Sequence, residues 1–141
     1  MRRLALLALA LPLLAGCSWS PFSTGSGSAM AQESLASEVK AQVPKWVTDE
    51  NLPANAIPGA KLFATAGCTA CHTYVGSGSS NLGAPDLTAI GTRHLGIDFE
   101  IRHLECPSCV NPGSPMPKFA SLGRRRLRRL AIFLEASKGM H

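Results

Sequence analysis

The chain has 141 residues and a mass of 14.8 kDa, which corresponds to one domain and excludes a multidomain enzyme. Only 6% of the residues are aromatic and 16% are charged, so we expect a group other than side chains to fill part of the core. The formal net charge is +5. The five cysteines are an odd number, so at least one of them has a role outside a disulfide within the chain.

The N-terminal residues 1–16 have the pattern of a secretory signal peptide. Arg2 and Arg3 precede an apolar run that extends to Leu14, and small residues follow. The run contains about eleven residues and includes Pro12, whereas a membrane-spanning helix needs on the order of 20. We therefore predict an exported protein rather than one with a permanent membrane span.

The segment Leu14-Ala15-Gly16-Cys17 resembles the bacterial lipobox, in which the cysteine is acylated and becomes the new N-terminus. The resemblance implies that Cys17 anchors the protein to a membrane, facing the periplasm or the cell exterior, and it explains the odd cysteine count. The alternative is an ordinary secretory signal that leaves Cys17 as a free thiol.

Residues 17–56 are predicted to be a flexible linker. The interval 18–31 is rich in serine and glycine and has almost no apolar periodicity. The interval 33–43 favours a short helix that ends before Pro44. The apolar side of this helix consists of Leu35, Val39 and Val43.

Cys68-Thr69-Ala70-Cys71-His72 is a C-x-x-C-H motif, the attachment sequence for c-type haem. Two thiols at this spacing reach the two vinyl groups of one haem and form thioethers, and His72 then ligates the iron. The alternatives are a thioredoxin-like redox pair, or a zinc site in which the second C-x-x-C pair, Cys106 and Cys109, supplies two more ligands.

Around this motif, residues 56–139 resemble class I c-type cytochromes, which are small monohaem electron carriers. Pro58-Gly59-Ala60-Lys61-Leu62-Phe63 is similar to their N-terminal helix, in which Gly59 would let the C-terminal helix approach. The resemblance implies an all-α cytochrome c domain over residues 57–141, with short helices wrapped around one covalently bound haem. Phe63, Phe119 and Phe133 are expected to enclose the haem or to join the terminal helices.

The segment that starts with Pro85-Asp86-Leu87 and ends with Arg93 also resembles this family. The resemblance implies that the carbonyl of Pro85 accepts a hydrogen bond from His72, which orients the imidazole as a ligand. It also implies that Arg93 lies near a haem propionate.

The second axial ligand is predicted to be Met116. It lies in a proline-stiffened loop, residues 112–119, which resembles the distal-ligand loop of the family. His103 falls on the side of its helix opposite Ile97, Ile101 and Leu104, so we expect it to face water. The other candidates are Met30, Met140, His94 and His141.

Two features depart from the family. Cys106 and Cys109 are predicted to form a local disulfide ahead of Met116, with a redox-active pair and a metal site as alternatives. No histidine follows them directly, so they do not attach a second haem.

The second departure is at the C-terminal end, where Gly123-Arg124-Arg125-Arg126 opens a predicted helix that continues to about Ser137. Its buried stripe is predicted to be Leu127, Leu130, Ala131 and Leu134.

Residues 56–141 contain 10 Lys or Arg against 5 Asp or Glu, an excess of five positive charges. This excess favours a redox partner with an acidic docking surface, or anionic lipid, and we expect no nucleic acid partner for an exported haem protein.

Together the motif, the resemblance and the charge predict electron transfer between respiratory-chain partners through a His/Met-ligated haem, and not an enzyme. The alternatives are a haem enzyme or ligand sensor with an open axial site, and a zinc or thiol-redox module.

Overall fold

A computed structural model describes residues 26–140 of the chain, which are predominantly helical, in agreement with the predicted all-α class. In this part of the chain the helices are α1 (Ser26–Asp49), α2 (Ile57–Thr65), α3 (Ile97–Glu105), α4 (Pro107–Val110) and α5 (Arg124–Ala136). Two short strands, β1 (Thr73–Tyr74) and β2 (Ser77–Gly78), form an antiparallel pair. The predicted signal peptide and Cys17 lie outside the described residues.

Helices α2 and α5 cross at Gly59. A Cβ atom at this position would collide with the carbonyl oxygen of Arg129 and would lie 2.6 Å from Cβ of Phe133. Only a residue without a side chain lets the two helix backbones approach this closely. The close approach predicted at Gly59 is therefore confirmed.

Helix α1 replaces much of the predicted linker. It runs through Pro44 to Asp49 and buries Val39, Val43 and Trp46, the last with no exposed surface. A proline inside a helix costs about 3 kcal/mol, because it removes a hydrogen bond and its ring clashes with the preceding turn. The burial of Val43 and Trp46 on either side of Pro44 offsets this cost, so the linker prediction does not hold over the interval 39–49.

An aromatic cluster packs between α1, α2, β1 and α5. Each of these elements contributes a ring, and neighbouring rings pack edge-on or tilted with centroids 4.8 to 6.2 Å apart. The members are Trp46, Phe63, Tyr74 and Phe133. Phe63 and Phe133 therefore join the terminal helices, whereas Phe119 is only partly buried at the edge of the core.

Hydrogen bonds fix the end of the chain to this cluster and to α1. The hydroxyl of Ser137 donates its single proton to the carbonyl of Phe133 at 2.8 Å. The Tyr74 hydroxyl is therefore the donor in its 3.0 Å hydrogen bond to the Ser137 hydroxyl. The buried carboxylate of Glu50 accepts the amides of Gly139 and Met140 at 2.8 and 3.1 Å. Among the described residues, no helix combines the length and hydropathy of a membrane span.

Helix α3 packs against α5. Of its predicted apolar side, Ile101 and Leu104 are buried and Ile97 is half-buried, and the helix also buries Glu100. Burial and, to a smaller extent, the charge of Glu135 together raise the pKa of Glu100 to about 7, and the charge of Arg93 opposes this shift only in part. Glu100 therefore binds a proton more tightly in the folded protein than in the unfolded chain.

This difference makes stability depend on pH. Between about pH 4.5 and 7 the folded state holds a proton on Glu100 that the unfolded state has released, so the free energy of unfolding should fall as the pH rises. Glu100→Gln should flatten this slope in urea titrations at several pH values in the interval. Asp98→Asn, at an exposed position on the same helix, is the matched control. Identical slopes for Glu100→Gln and the unmodified protein would contradict the assignment.

Candidate functional site

The C-x-x-C-H motif folds as one tight turn directly after α2. Gly67 has a φ of 87°, which ends the helix, and residues Cys68–Ala70 form a single 3₁₀ turn. The amides of Cys71 and His72 both donate to the carbonyl of Cys68, at 3.2 and 2.9 Å. The turn therefore brings the two cysteines and His72 to one place, with Cys68 buried and the other two half-buried.

Both cysteines of this motif carry free thiols. Burial raises the pKa of Cys68 to about 12, and a backbone hydrogen bond opposes the shift only in part. The thiolate is the reactive form of cysteine, so Cys68 is a poor nucleophile at neutral pH. This property disfavours the thioredoxin-like alternative, which requires a thiol of lowered pKa.

The predicted contact between His72 and Pro85 is present, with Nδ1 of His72 2.9 Å from the Pro85 carbonyl oxygen. A carbonyl oxygen only accepts hydrogen bonds, so Nδ1 carries the proton, and Nε2 of the neutral ring keeps its lone pair. A histidine held in this way has the tautomer and the fixed orientation that a metal ligand needs.

The Pro85 segment is itself fixed to the strand that follows His72. The amide of Leu87 donates to the Thr73 carbonyl at 3.0 Å, and the amide of Val75 donates to the Thr88 hydroxyl at 2.8 Å. Hydrogen bonds on both sides of β1 thus set the position of the Pro85 carbonyl. Sequence patterns indicated the contact with Pro85 but not these supporting bonds.

Two residues that the sequence analysis did not single out support the motif from the other side. The side-chain amide of Asn81 donates to the Ala70 carbonyl at 2.7 Å, and its backbone amide donates to the Cys71 carbonyl at 3.1 Å. At Gly78, which has a φ of 96°, an added Cβ atom would lie 2.5 Å from the His72 carbonyl oxygen. The signal for both was the turn-forming Gly, Ser and Asn content of residues 76–83.

Arg93 ends a 3₁₀ turn that starts at Ile90, and its side chain is exposed. Its charge acts on the carboxyl group of Glu100. This turn packs against the C-terminal end of α5, where Gly91 donates its amide to the Ser137 carbonyl at 2.8 Å. The contact of Arg93 with a propionate stays a prediction.

Met116 is half-buried against the core in an irregular segment between α4 and α5, which agrees with the predicted loop. The hydroxyl of Ser114 accepts the Met116 amide at 3.3 Å, and the Phe119 amide donates to the Leu104 carbonyl at 2.9 Å. The second bond ties the loop to the end of α3.

The other candidate ligands occupy less suitable positions. Met140 is 63% exposed, and His94 is exposed with a φ of 50°. The side chains of Met30 and His141 lie outside the described residues.

The expectation that His103 faces water is wrong. The residue is half-buried, its ring stacks on Phe99 with centroids 6.2 Å apart, and its Nδ1 is buried without a hydrogen-bond partner. Burial lowers the pKa of His103, and His72, when protonated, lowers it further. Phe99 and His103 are four residues apart, so α3 has a second face that is removed from water, and this spacing was the signal in the sequence.

Cys106 and Cys109 form the predicted disulfide, with Cα atoms 5.3 Å apart at the start of α4. Their sulfur atoms are bonded to each other and are not free to ligate zinc together with Cys68 and Cys71. Within residues 26–140, no group of three or more His, Cys, Asp or Glu side chains is arranged to hold a metal ion.

Comparison of the chain with protein-family models, with curated proteins and with solved structures gave no match. The function therefore has to be argued from the residues and the geometry of the site.

The disulfide should stabilise the loop that carries Met116. Closing a ring of four residues corresponds to about 2 kcal/mol of lost entropy in the unfolded chain. The double variant Cys106→Ser/Cys109→Ser should lower the free energy of unfolding by about this amount in urea titrations. Ser121→Ala, at an exposed position, should leave it unchanged. Equal stability of the double variant and the unmodified protein would show that the ring has no such effect.

Proposed function

We propose that this chain is an exported monohaem c-type cytochrome that transfers one electron at a time between respiratory-chain partners. The hydrogen bond from Nδ1 of His72 to the Pro85 carbonyl is the observation that carries the proposal. It orients a histidine directly after two free cysteines, and it leaves Nε2 as the nitrogen that ligates.

The residues present fit a covalent haem. Cys68 and Cys71 would form the thioethers, His72 would be one axial ligand and Met116 the other. The buried Nδ1 of His103 supports this fit, because an orphaned polar atom inside a protein indicates a group that the chain alone does not supply. The half-buried apolar side chains of Leu87, Ile97 and Met116 would cover an apolar ring.

When bound, the haem supplies an iron that exchanges one electron. The chain's own residues decide what that iron does: a neutral, soft thioether from Met116 would favour the reduced form, and the hydrogen-bonded His72 would keep its orientation in both oxidation states. With His72 and Met116 both as ligands, the iron would have no free position for a substrate, and this would favour a carrier over an enzyme.

The basic surface suits an acidic redox partner. The arginines at positions 124, 125, 126, 128 and 129 are all exposed on α5. A shallow furrow between α1, α2 and α5 is lined by the cationic side chains of Lys40, Lys61, Arg126 and Arg129, with no acidic side chain among its lining residues. We propose that a partner's carboxylates dock on this surface. An acylated Cys17 would keep the domain close to the membrane.

A visible spectrum tests the proposal. Protein from a host that matures c-type cytochromes should show a low-spin spectrum that sharpens on reduction with dithionite, together with the weak far-red band of ferric thioether-ligated haem. Met116→Ala should abolish that band and open the iron to carbon monoxide, and Met140→Ala should change neither. Colourless protein with both thiols of the motif free to alkylate would overturn the proposal.

Replacing Arg124, Arg125 and Arg126 by glutamine should slow electron exchange with an acidic partner and flatten its dependence on salt. The reason is that screened attraction between opposite charges controls the association rate. Arg102→Gln, an exposed position on α3, is the matched control for the loss of one charge. An unchanged salt profile in the triple variant would assign the arginines to a solvated helix face without a docking role.

A further inference from the structure

His103 is the residue whose burial the proposed function does not yet explain. In the described part of the chain its Nδ1 is the one buried side-chain nitrogen or oxygen without a hydrogen-bond partner. Leaving such an atom unpaired is unfavourable, so folded proteins rarely retain one without a role.

The surroundings of His103 indicate where this atom is directed. Phe99 covers one face of the imidazole in a stacked arrangement, with 13° between the ring planes. His72 lies near enough to lower the pKa of His103 when His72 is protonated, and no hydrogen bond joins Nδ1 of His103 to it. The two histidines are therefore neighbours in the fold, although they belong to different segments of the chain.

The loop that carries Met116 is bonded to the end of α3 that carries His103. The Phe119 amide bonds to the carbonyl of Leu104, so the backbone that follows Met116 runs along the last turn of α3, next to His103. A haem held by Cys68, Cys71 and His72, with Met116 as the proposed second ligand, would therefore bind in the neighbourhood of His103.

We propose that His103 is a positioning residue of the haem pocket, and that its Nδ1–H donates a hydrogen bond to the group in the sixth coordination position of the iron. That group is the thioether of Met116, or a small anion that displaces it. The inference rests on the proposed function. The two groups form a donor and acceptor pair, because a neutral imidazole has one N–H to donate and both a thioether and a bound anion accept hydrogen bonds.

The bond would affect the iron through its ligand. A donor on the thioether withdraws electron density from sulfur, which weakens its hold on ferric iron and favours the reduced form. The same donor stabilises a displacing anion such as cyanide. Removing it should therefore lower the reduction potential and weaken cyanide binding.

The test uses the intact holoprotein with His103→Phe, which keeps an aromatic ring against Phe99 and removes both nitrogens. Cyanide titration of the ferric protein should show an affinity about tenfold lower, the size expected for one lost hydrogen bond. Spectroelectrochemical titration should show a lower potential, while the far-red band is retained. His103→Gln, whose amide can still donate, should restore most of both values. His103→Leu supplies the same measurements where the phenylalanine variant fails to fold.

His94→Asn is the matched control, because it removes an exposed histidine at a positive φ that asparagine tolerates. Cyanide affinity and potential of His103→Phe equal to those of this control would overturn the inference. Loss of the low-spin spectrum in His103→Phe would also overturn it, because His103 would then be the axial ligand itself. Absence of covalent haem from the unmodified protein would instead contradict the proposed function.

Discussion

The contact between α2 and α5 at Gly59 sets the position of the candidate site. The motif turn follows directly on the last residues of α2, so the position of this helix sets the position of Cys68. A side chain at Gly59 would push the two helices apart and move the turn with them. The aromatic cluster then packs behind the contact, and Tyr74 belongs to both the cluster and the strand that follows His72.

The site is consequently built from segments that are far apart in sequence but rigidly connected. His72 is oriented by the carbonyl of Pro85, thirteen residues further along the chain. The residues that follow Pro85 are in turn hydrogen-bonded to Thr73 and Val75, next to His72. The Met116 loop is restrained by a disulfide before it and by a backbone bond to α3 after it. On the proposed function, this arrangement would suit electron transfer, because an electron carrier works best when its ligands keep their geometry in both oxidation states.

Much of the region from residue 57 onwards could be predicted because its signals are local. Apolar spacing identified Leu127 and Leu130 in α5, and the motif spacing identified the residues of the turn. The short helix predicted over 33–43 is part of α1, but the continuation of α1 through Pro44 to Asp49 could not be predicted in the same way. Pro44 is a local signal that argues against a helix, whereas the burial of Trp46 depends on tertiary contacts with Phe63 and Tyr74. His103 shows the same limit, since the apolar stripe of α3 gives no information about what covers its second face.

The different states of the two C-x-x-C pairs have a consequence for biogenesis. On the proposed export, both pairs would reach the same oxidising compartment. Cys106 and Cys109 form a disulfide, whereas Cys68 and Cys71 carry free thiols. Oxidation starts from a thiolate, and burial keeps Cys68 in its protonated form once the turn has folded. On the proposed function, slow oxidation of Cys68 would keep its sulfur in the reduced thiol form, which is the form that adds its S–H bond across a vinyl group of the haem. The fold would thus protect the sulfurs that the prosthetic group needs until maturation is complete.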